Sequence, residues 1–271
     1  MDYIVVAFFT SDETQRELLM AELTELNASG FEEKETELHA YMDADHFEEQ
    51  AIEALALTHD TRYTVDKIPE QNWNATWEAN FQPVIVEDFV TVRADFHDLE
   101  IKTPYEIKIT PKMSFGTGHH ATTQLMMMQM KNIDFNNKSV LDFGTGTGIL
   151  AILAEMLGAS NVIAIDNDEW SYSNAIENLE RNEISNIEVK LGTLESQQGK
   201  EFEIILANIN RHILLQYMAD MYTLLKTGGI LLMSGLLAED ENIVAEAAKK
   251  AGFIYKATNA LNNWIVLYFE K

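Results

Sequence analysis

SVLDFGTGTGILAILAEMLGA, residues 139–159, joins a strand-like apolar run to a helical one through three glycines at alternate positions. A triphosphate loop requires a Lys-Ser/Thr pair after its last glycine, and here Gly148 is followed by Ile149 and Leu150. A dinucleotide loop requires glycines at its first, third and sixth positions, so that a helix N-terminus meets a pyrophosphate. Gly144 and Gly146 satisfy the first two, but Ile149 stands at the sixth, and no arginine lies nearby to assist a phosphate. What remains is an adenosine-bearing cofactor without phosphate. Gly144 and Gly146 allow backbone to approach such a ligand closely. Asp166 closes the next strand-like run, 22 residues after Gly144, and suits hydrogen bonding to ribose hydroxyls. Two plainer roles stay open: glycines that only make a tight turn, and Asp166 as a cap for the helix starting near Asp168.

Beyond this stretch, VLDFG, NVIAID, IEVKLG, FEIILANI and GILLMSGLL read as buried strands. Helical patterns lie between them at 149–158, 169–182, 212–226 and 239–251. Such alternation gives a parallel sheet covered on both faces. The closing FIYKATNALNNWIVLYFE reads as two strands around an Asn-rich turn, which places an antiparallel strand at the end of a mostly parallel sheet.

The first 68 residues follow a different order. Tyr3–Phe9 is a strand pattern, Asp12 and Gln15 resemble a capping box, and Leu19, Leu23 and Leu26 keep helical spacing up to Gly30. Residues 31–42 read as one strand or a tight pair. Asp45 is placed to cap a second helix bearing Phe47, Ile52, Leu55 and Leu57, and Arg62–Ile68 is a last strand. This order fits a small ferredoxin-like α+β domain over 1–68. In the following EQNWNATWEANFQP, Trp73, Trp77 and Phe81 stack on one helix face. That helix and short strands at 84–93 and 106–110 make 69–111 a linker, leaving 112–271 as the second domain.

Of the 271 residues, 46% are apolar, enough for one sizeable core and a smaller appendage. No apolar run reaches the length of about 18 residues that a membrane span needs. The opening MDYIVVAFFT lacks the basic leader of a signal peptide, so a cytoplasmic protein is expected. The absence of cysteine excludes disulfides, thiolate metal sites and a cysteine nucleophile. The net charge is −25, and residues 1–60 hold 16 acids and two bases. Such a surface repels nucleic-acid phosphates and attracts basic partners; it also serves simply as a solvated face.

The run LDxGxGxG with an acid at the end of the next strand resembles the S-adenosylmethionine-dependent methyltransferases over roughly 139–271. A second glycine stretch, TPKMSFGTGHHATTQLMMM at 110–128, narrows the resemblance. Together with NWNATWEANFQP, IDNDEW, ILANI and LLMSGLL, it is similar to the ribosomal protein L-eleven methyltransferase family over about 70–271. The resemblance implies a Rossmann-like sheet, S-adenosylmethionine as cofactor, and methylation of lysine side-chain and N-terminal amines of that basic ribosomal protein. It also implies a small N-terminal domain that recognises the substrate. Matched residue by residue, it implies cofactor contacts from Thr123, Gly144, Asp166 and Asn208, with Gly146 beside them. Phe115, Gly116, Thr117, Gly118 and His120 match an FGTGxH loop in front of the site. Thr110, Lys112, Met113, Thr145 and the INRHIL run after Asn208 depart from the usual family residues.

Asn208 is the candidate to border methyl transfer, since its amide can accept amine hydrogens; its plainer role is a helix cap. Thr122 and Thr123 are positioned to cap the helix after the loop. His119 and His120 lack a third ligand at metal spacing, so no metal is expected, and a packing or lid role suits them better. Asp142 either orients the glycine loop or is an ordinary strand-end acid. A methyltransferase for an adenine amine or a glutamine amide typically carries Asn/Asp-Pro-Pro-Tyr where this chain has Asn208-Ile209-Asn210-Arg211. A non-catalytic cofactor-binding assembly protein would accommodate an apolar residue at 166 or 208. The expected state is a monomer that binds neither membranes nor specific nucleic-acid sequences.

Overall fold

A computed structural model describes residues 3–34, 36–44, 47–68, 81–110 and 116–271. The chain forms two compact units, Met1–Asn80 and Phe81–Lys271. Trp73 and Trp77, expected to stack on a helix, Asp45, expected as a cap, and Lys112, Met113 and Phe115 lie outside the described residues. The N-cap position of the second helix, Glu49–Thr58, is Glu48.

The first unit runs β1 (Tyr3–Phe9), α1 (Glu13–Glu25), β2 (Ala28–Glu33), β3 (Glu37–Asp43), α2 (Glu49–Thr58) and β4 (Arg62–Ile68). Its antiparallel sheet has the order β2-β3-β1-β4, the ferredoxin-like arrangement. Val6, Phe8, Leu19, Leu23, Leu38 and Ile52 form its core. Residues 31–42 are thus a pair of strands, and Gly30 lies within β2 rather than ending the helix. The helix already stops at Leu26, because Asn27 turns the chain with φ +64°, a conformation asparagine tolerates. Only half of a capping box forms. Asp12 accepts from the Thr14 and Gln15 N–H groups, while the Gln15 amide donates to the His59 carbonyl instead. Leu57 keeps helical spacing but is 76% exposed, and the buried residues of α2 are Ile52, Leu55 and Ala56.

The second unit opens with a three-stranded sheet, β5 (Val84–Val86), β6 (Val90–Arg93) and β7 (Tyr105–Lys108). After α3 (Ala121–Met130) the alternating region begins: β8 (Ser139–Phe143), α4 (Ile149–Met156), β9 (Asn161–Asp166), α5 (Glu169–Arg181) and β10 (Ile187–Leu191). It continues with β11 (Phe202–Asn208), α6 (Arg211–Gln216), α7 (Met218–Leu224), β12 (Leu225–Leu237), α8 (Glu241–Ala251), β13 (Ile254–Leu261) and β14 (Trp264–Glu270). The seven strands are ordered β10-β9-β8-β11-β12-β14-β13. The pairs from β10 to β12 are parallel, and β14 runs antiparallel to both neighbours. Successive residues face opposite layers: Val140 joins one apolar core and Leu141 the other. This double burial explains why the strands read as continuous apolar runs. The hairpin between β13 and β14 turns on Asn262 and Asn263, both at positive φ, as a two-residue hairpin requires.

The pattern over 212–226 resolves into two helices, with Tyr217 breaking the run and Leu225 already in β12. The strand order reverses between β8 and β11, so the loops leaving their C-terminal ends diverge and open a crevice. The glycine loop leaves β8 and Asn208 closes β11 at that point.

Candidate active site

The glycine loop is tied down from several sides. Gly144 and Thr145 donate backbone N–H groups to the Ile165 carbonyl at 2.9 and 3.0 Å. The Thr145 hydroxyl donates to Asp142 Oδ2 at 2.6 Å. Gly146 N–H donates to Asp166 Oδ2 at 2.9 Å, and the Thr147 hydroxyl donates to the Gly116 carbonyl at 2.6 Å. Gly144 and Gly146 have φ of +74° and +56°, which side-chain-bearing residues avoid. Asp166 does not cap α5; Asp168 does, accepting the Ser171 N–H at 2.8 Å. The other oxygen of Asp166 accepts the Asp168 N–H at 3.1 Å, which fixes the carboxylate while leaving acceptor lone pairs for a ligand.

Asp142 is buried beneath the loop. Burial, reinforced by the nearby negative charge of Asp166, pushes its carboxyl up to about 7 against the stabilising bond from Thr145. It therefore orients the loop through Thr145 rather than serving as a solvated strand-end acid.

Asn208 is buried, and its Nδ2 donates to Thr123 Oγ1 at 3.3 Å. The same amide leaves Oδ1 with no hydrogen-bond partner. Buried acceptors are rarely left unpaired, and one beside a cavity marks a place for a donor. Asn208 does not cap α6, whose N-cap position is Asn210. Ile209 follows, wedged between two glycines: its side chain fills the space beside Gly144, and its backbone fills the space beside Gly235.

A cavity of about 490 Å³ gathers these groups. Gly144, Gly146, Asp166, Thr123, Asn208, Gly116 and His120 all line it. Among the described lining residues, Asp166 is the only carboxylate and there is no lysine or arginine. The volume is that of a small-molecule site, and the lining suits a nucleoside rather than a phosphate. Thr117 and Gly118 are not part of the lining. His120, rather than Thr122 or Thr123, caps α3, its ring accepting from the Thr122 N–H. His119 turns aside, its Nε2 2.8 Å from the Gln82 carbonyl and its ring edge-on to Phe81. Among the described residues, no group of three His, Asp or Glu side chains is placed to hold a metal.

Lining residues that escape a sequence reading include Trp264, packed edge-on against His120 at 4.5 Å between ring centroids, Gly235 and Tyr217. Gly235 had a readable signal, since a glycine inside a buried strand marks close approach of backbone. Trp264 and Tyr217 arrive from distant elements and carry none.

The glycine loop, the acid closing β9, the reversed strand order and the antiparallel last strand define an S-adenosylmethionine-dependent methyltransferase. The family model described as "Ribosomal protein L11 methyltransferase (PrmA)" matches residues 5–271. Relatives named ribosomal protein L11 methyltransferase include one from Porphyromonas gingivalis, 42% identical over 99% of this chain and 98% of the relative. Another from Phocaeicola vulgatus is 38% identical over 99% of both chains. The crystal structure of a ribosomal protein L11 methylase from Lactobacillus delbrueckii subsp. bulgaricus superposes with a TM-score of 0.66 at 28% identity. It covers 70% of this chain and 99% of that one. The chain belongs to the ribosomal protein L11 methyltransferase family.

Proposed function

We propose that this chain transfers methyl groups from S-adenosylmethionine to lysine side-chain and N-terminal amines of ribosomal protein L11, in the cytoplasm. The observation that carries the reading is the unpaired, buried Oδ1 of Asn208 in a cavity that also holds Asp166. A carboxylate without basic neighbours suits ribose hydroxyls, and a lone acceptor suits an amine N–H. In this reading Gly144, Gly146 and Asp166 hold the nucleoside, and Thr123 orients Asn208.

S-adenosylmethionine supplies a methyl group already activated by its sulfonium. The protein's part is to present a neutral amine in line with it. A free lysine has a pKa of about 10.4 and is mostly protonated at neutral pH. Removing it from water among Ile209, Trp264 and Phe143 disfavours the charged form, so the proton leaves to water before attack. Asn208 Oδ1 then accepts one of the remaining N–H groups and turns the lone pair forward. The residues need supply no dedicated base.

The first unit, with the acidic excess of residues 1–60, is assigned to capture of the basic substrate. The test incubates the chain with labelled S-adenosylmethionine and, separately, purified ribosomal protein L11, other ribosomal proteins and ribosomal RNA. Label in ribosomal protein L11 that falls at least about a hundredfold in Asn208→Ala, beyond the roughly tenfold loss per ordinary hydrogen bond, supports the reading. Label in RNA, or none in protein, refutes it.

A further inference from the structure

Helix α5 carries three asparagines one turn apart, Asn174, Asn178 and the C-capping Asn182, all turned toward residues 108–110. Asn182 pairs with Lys108 as a neighbouring strand would. It accepts the backbone N–H at 2.8 Å and donates to the carbonyl at 2.6 Å. Asn174 donates to the Thr110 carbonyl at 3.4 Å. Asn178 differs from both. Its Oδ1 accepts the Thr110 N–H at 2.7 Å, and its Nδ2 donates to the Thr147 carbonyl at 2.8 Å. It is fully buried and is the one member of the ladder that reaches the glycine loop.

That contact matters because the bond inside the loop, from the Gly148 N–H to the Thr145 carbonyl at 2.9 Å, closes one turn without engaging the Thr147 carbonyl. With glycines at 144, 146 and 148 all at positive φ, the backbone there has many accessible conformations, and outside tethers must choose among them. Asp142 holds Thr145 and Asp166 holds Gly146. Thr147 is held at its hydroxyl by Gly116 and at its carbonyl by Asn178. We infer that Asn178 is a positioning residue that sets the conformation of the cofactor loop, and through it the affinity for the methyl donor, by joining Thr147 to the strand-end segment at Thr110. This rests on the reading that the glycine loop holds that donor.

Asn182 supplies an internal control: the same residue type on the same helix, bonded twice to the same segment, but not to the loop. Binding of S-adenosylhomocysteine to the full chain is measured by calorimetry, with thermal unfolding alongside. Loss of both bonds leaves the buried Thr147 carbonyl unpaired, so Asn178→Ala weakens binding by at least about tenfold. Asn182→Ala lowers the unfolding temperature but leaves binding within about twofold, since its bonds, to Lys108 and to the Asn178 backbone carbonyl, do not reach the loop. Should Asn178→Ala fail to fold, Asn178→Ser, which retains a polar group in the space, carries the same comparison. Equal loss of affinity at both positions, or no loss at 178, overturns the inference. Absence of binding by the unaltered chain refutes the proposed function itself, and the inference with it.

Discussion

Ile209 and Gly235 share one space: the backbone of Ile209 occupies the position that a β-carbon on Gly235 would take. Gly235 sits at a register shift in the pairing of β12 with β14, with φ +84°, and the Ile209 N–H donates to the neighbouring Ser234 carbonyl at 3.2 Å. The direction of the Asn208 amide thus depends on a glycine in the neighbouring strand β12. Gly235→Ala combines backbone strain with overpacking and is expected to destabilise the chain by about 2–4 kcal/mol, read from urea unfolding. Because the displaced segment carries Asn208, methyl transfer should fall further than the loss of folded protein explains. A variant as stable and active as the parent would remove Ile209 from this account of the site.

Asp166 and Asp168 separate two roles that the sequence leaves entangled. Asp168→Ala removes a helix cap and should cost about 1 kcal/mol of stability, with binding of S-adenosylhomocysteine unchanged. Asp166→Ala releases the Gly146 N–H and removes the proposed ribose acceptor, so binding should weaken by about 1–3 kcal/mol. Calorimetry on the two variants decides the matter. If Asp168→Ala weakens binding as much as Asp166→Ala, the nucleoside end has been misplaced.

The legible parts of this molecule are those encoded within one short stretch. The glycine loop, Asp166 and the Asn262–Asn263 turn are readable because local backbone geometry demands those residue types. The continuous apolar strands are readable because both faces of the sheet are buried. Helix α6 and helix α7 merge in sequence, since Leu214, Met218 and Met221 keep one apolar stripe across the break at Tyr217. The bond from Asn208 to Thr123, the wedge of Ile209 between two glycines, and Trp264 against His120 depend on elements far apart in the chain. No periodicity records such pairings. The asparagines of α5 look like an ordinary polar helix face until residues 108–110 are seen to lie on it.

Asp142 makes stability depend on pH with a definite sign. Its folded-state pKa of about 7 lies above the ordinary carboxylate value because of burial. Between that ordinary value and about 7, the folded chain therefore binds more protons than the unfolded chain. Stability attributable to this group falls as pH rises through the window. Asp142→Asn keeps an acceptor for the Thr145 hydroxyl and abolishes the titration. Urea unfolding at pH 5 and pH 8 should show the parent losing stability relative to the variant at the higher pH. Parallel curves at both pH values would place the titration elsewhere.

The acidity of the first 60 residues sets a salt dependence on one substrate and not on the other. With 16 acids against two bases, their field extends about 10 Å at 0.1 M salt and about 3 Å at 1 M. A basic ribosomal protein approaching this surface gains encounter rate from the field, and screening removes that gain. The proposed contact of Asp166 with the nucleoside acts at hydrogen-bond distance, inside any Debye length. Raising salt across that range should therefore raise KM for ribosomal protein L11 by roughly an order of magnitude. Affinity for S-adenosylhomocysteine, measured on the same preparation, should move by no more than about twofold. A KM indifferent to salt would show that capture of the protein substrate rests on apolar contact, and that the acidic excess serves only as a solvated face.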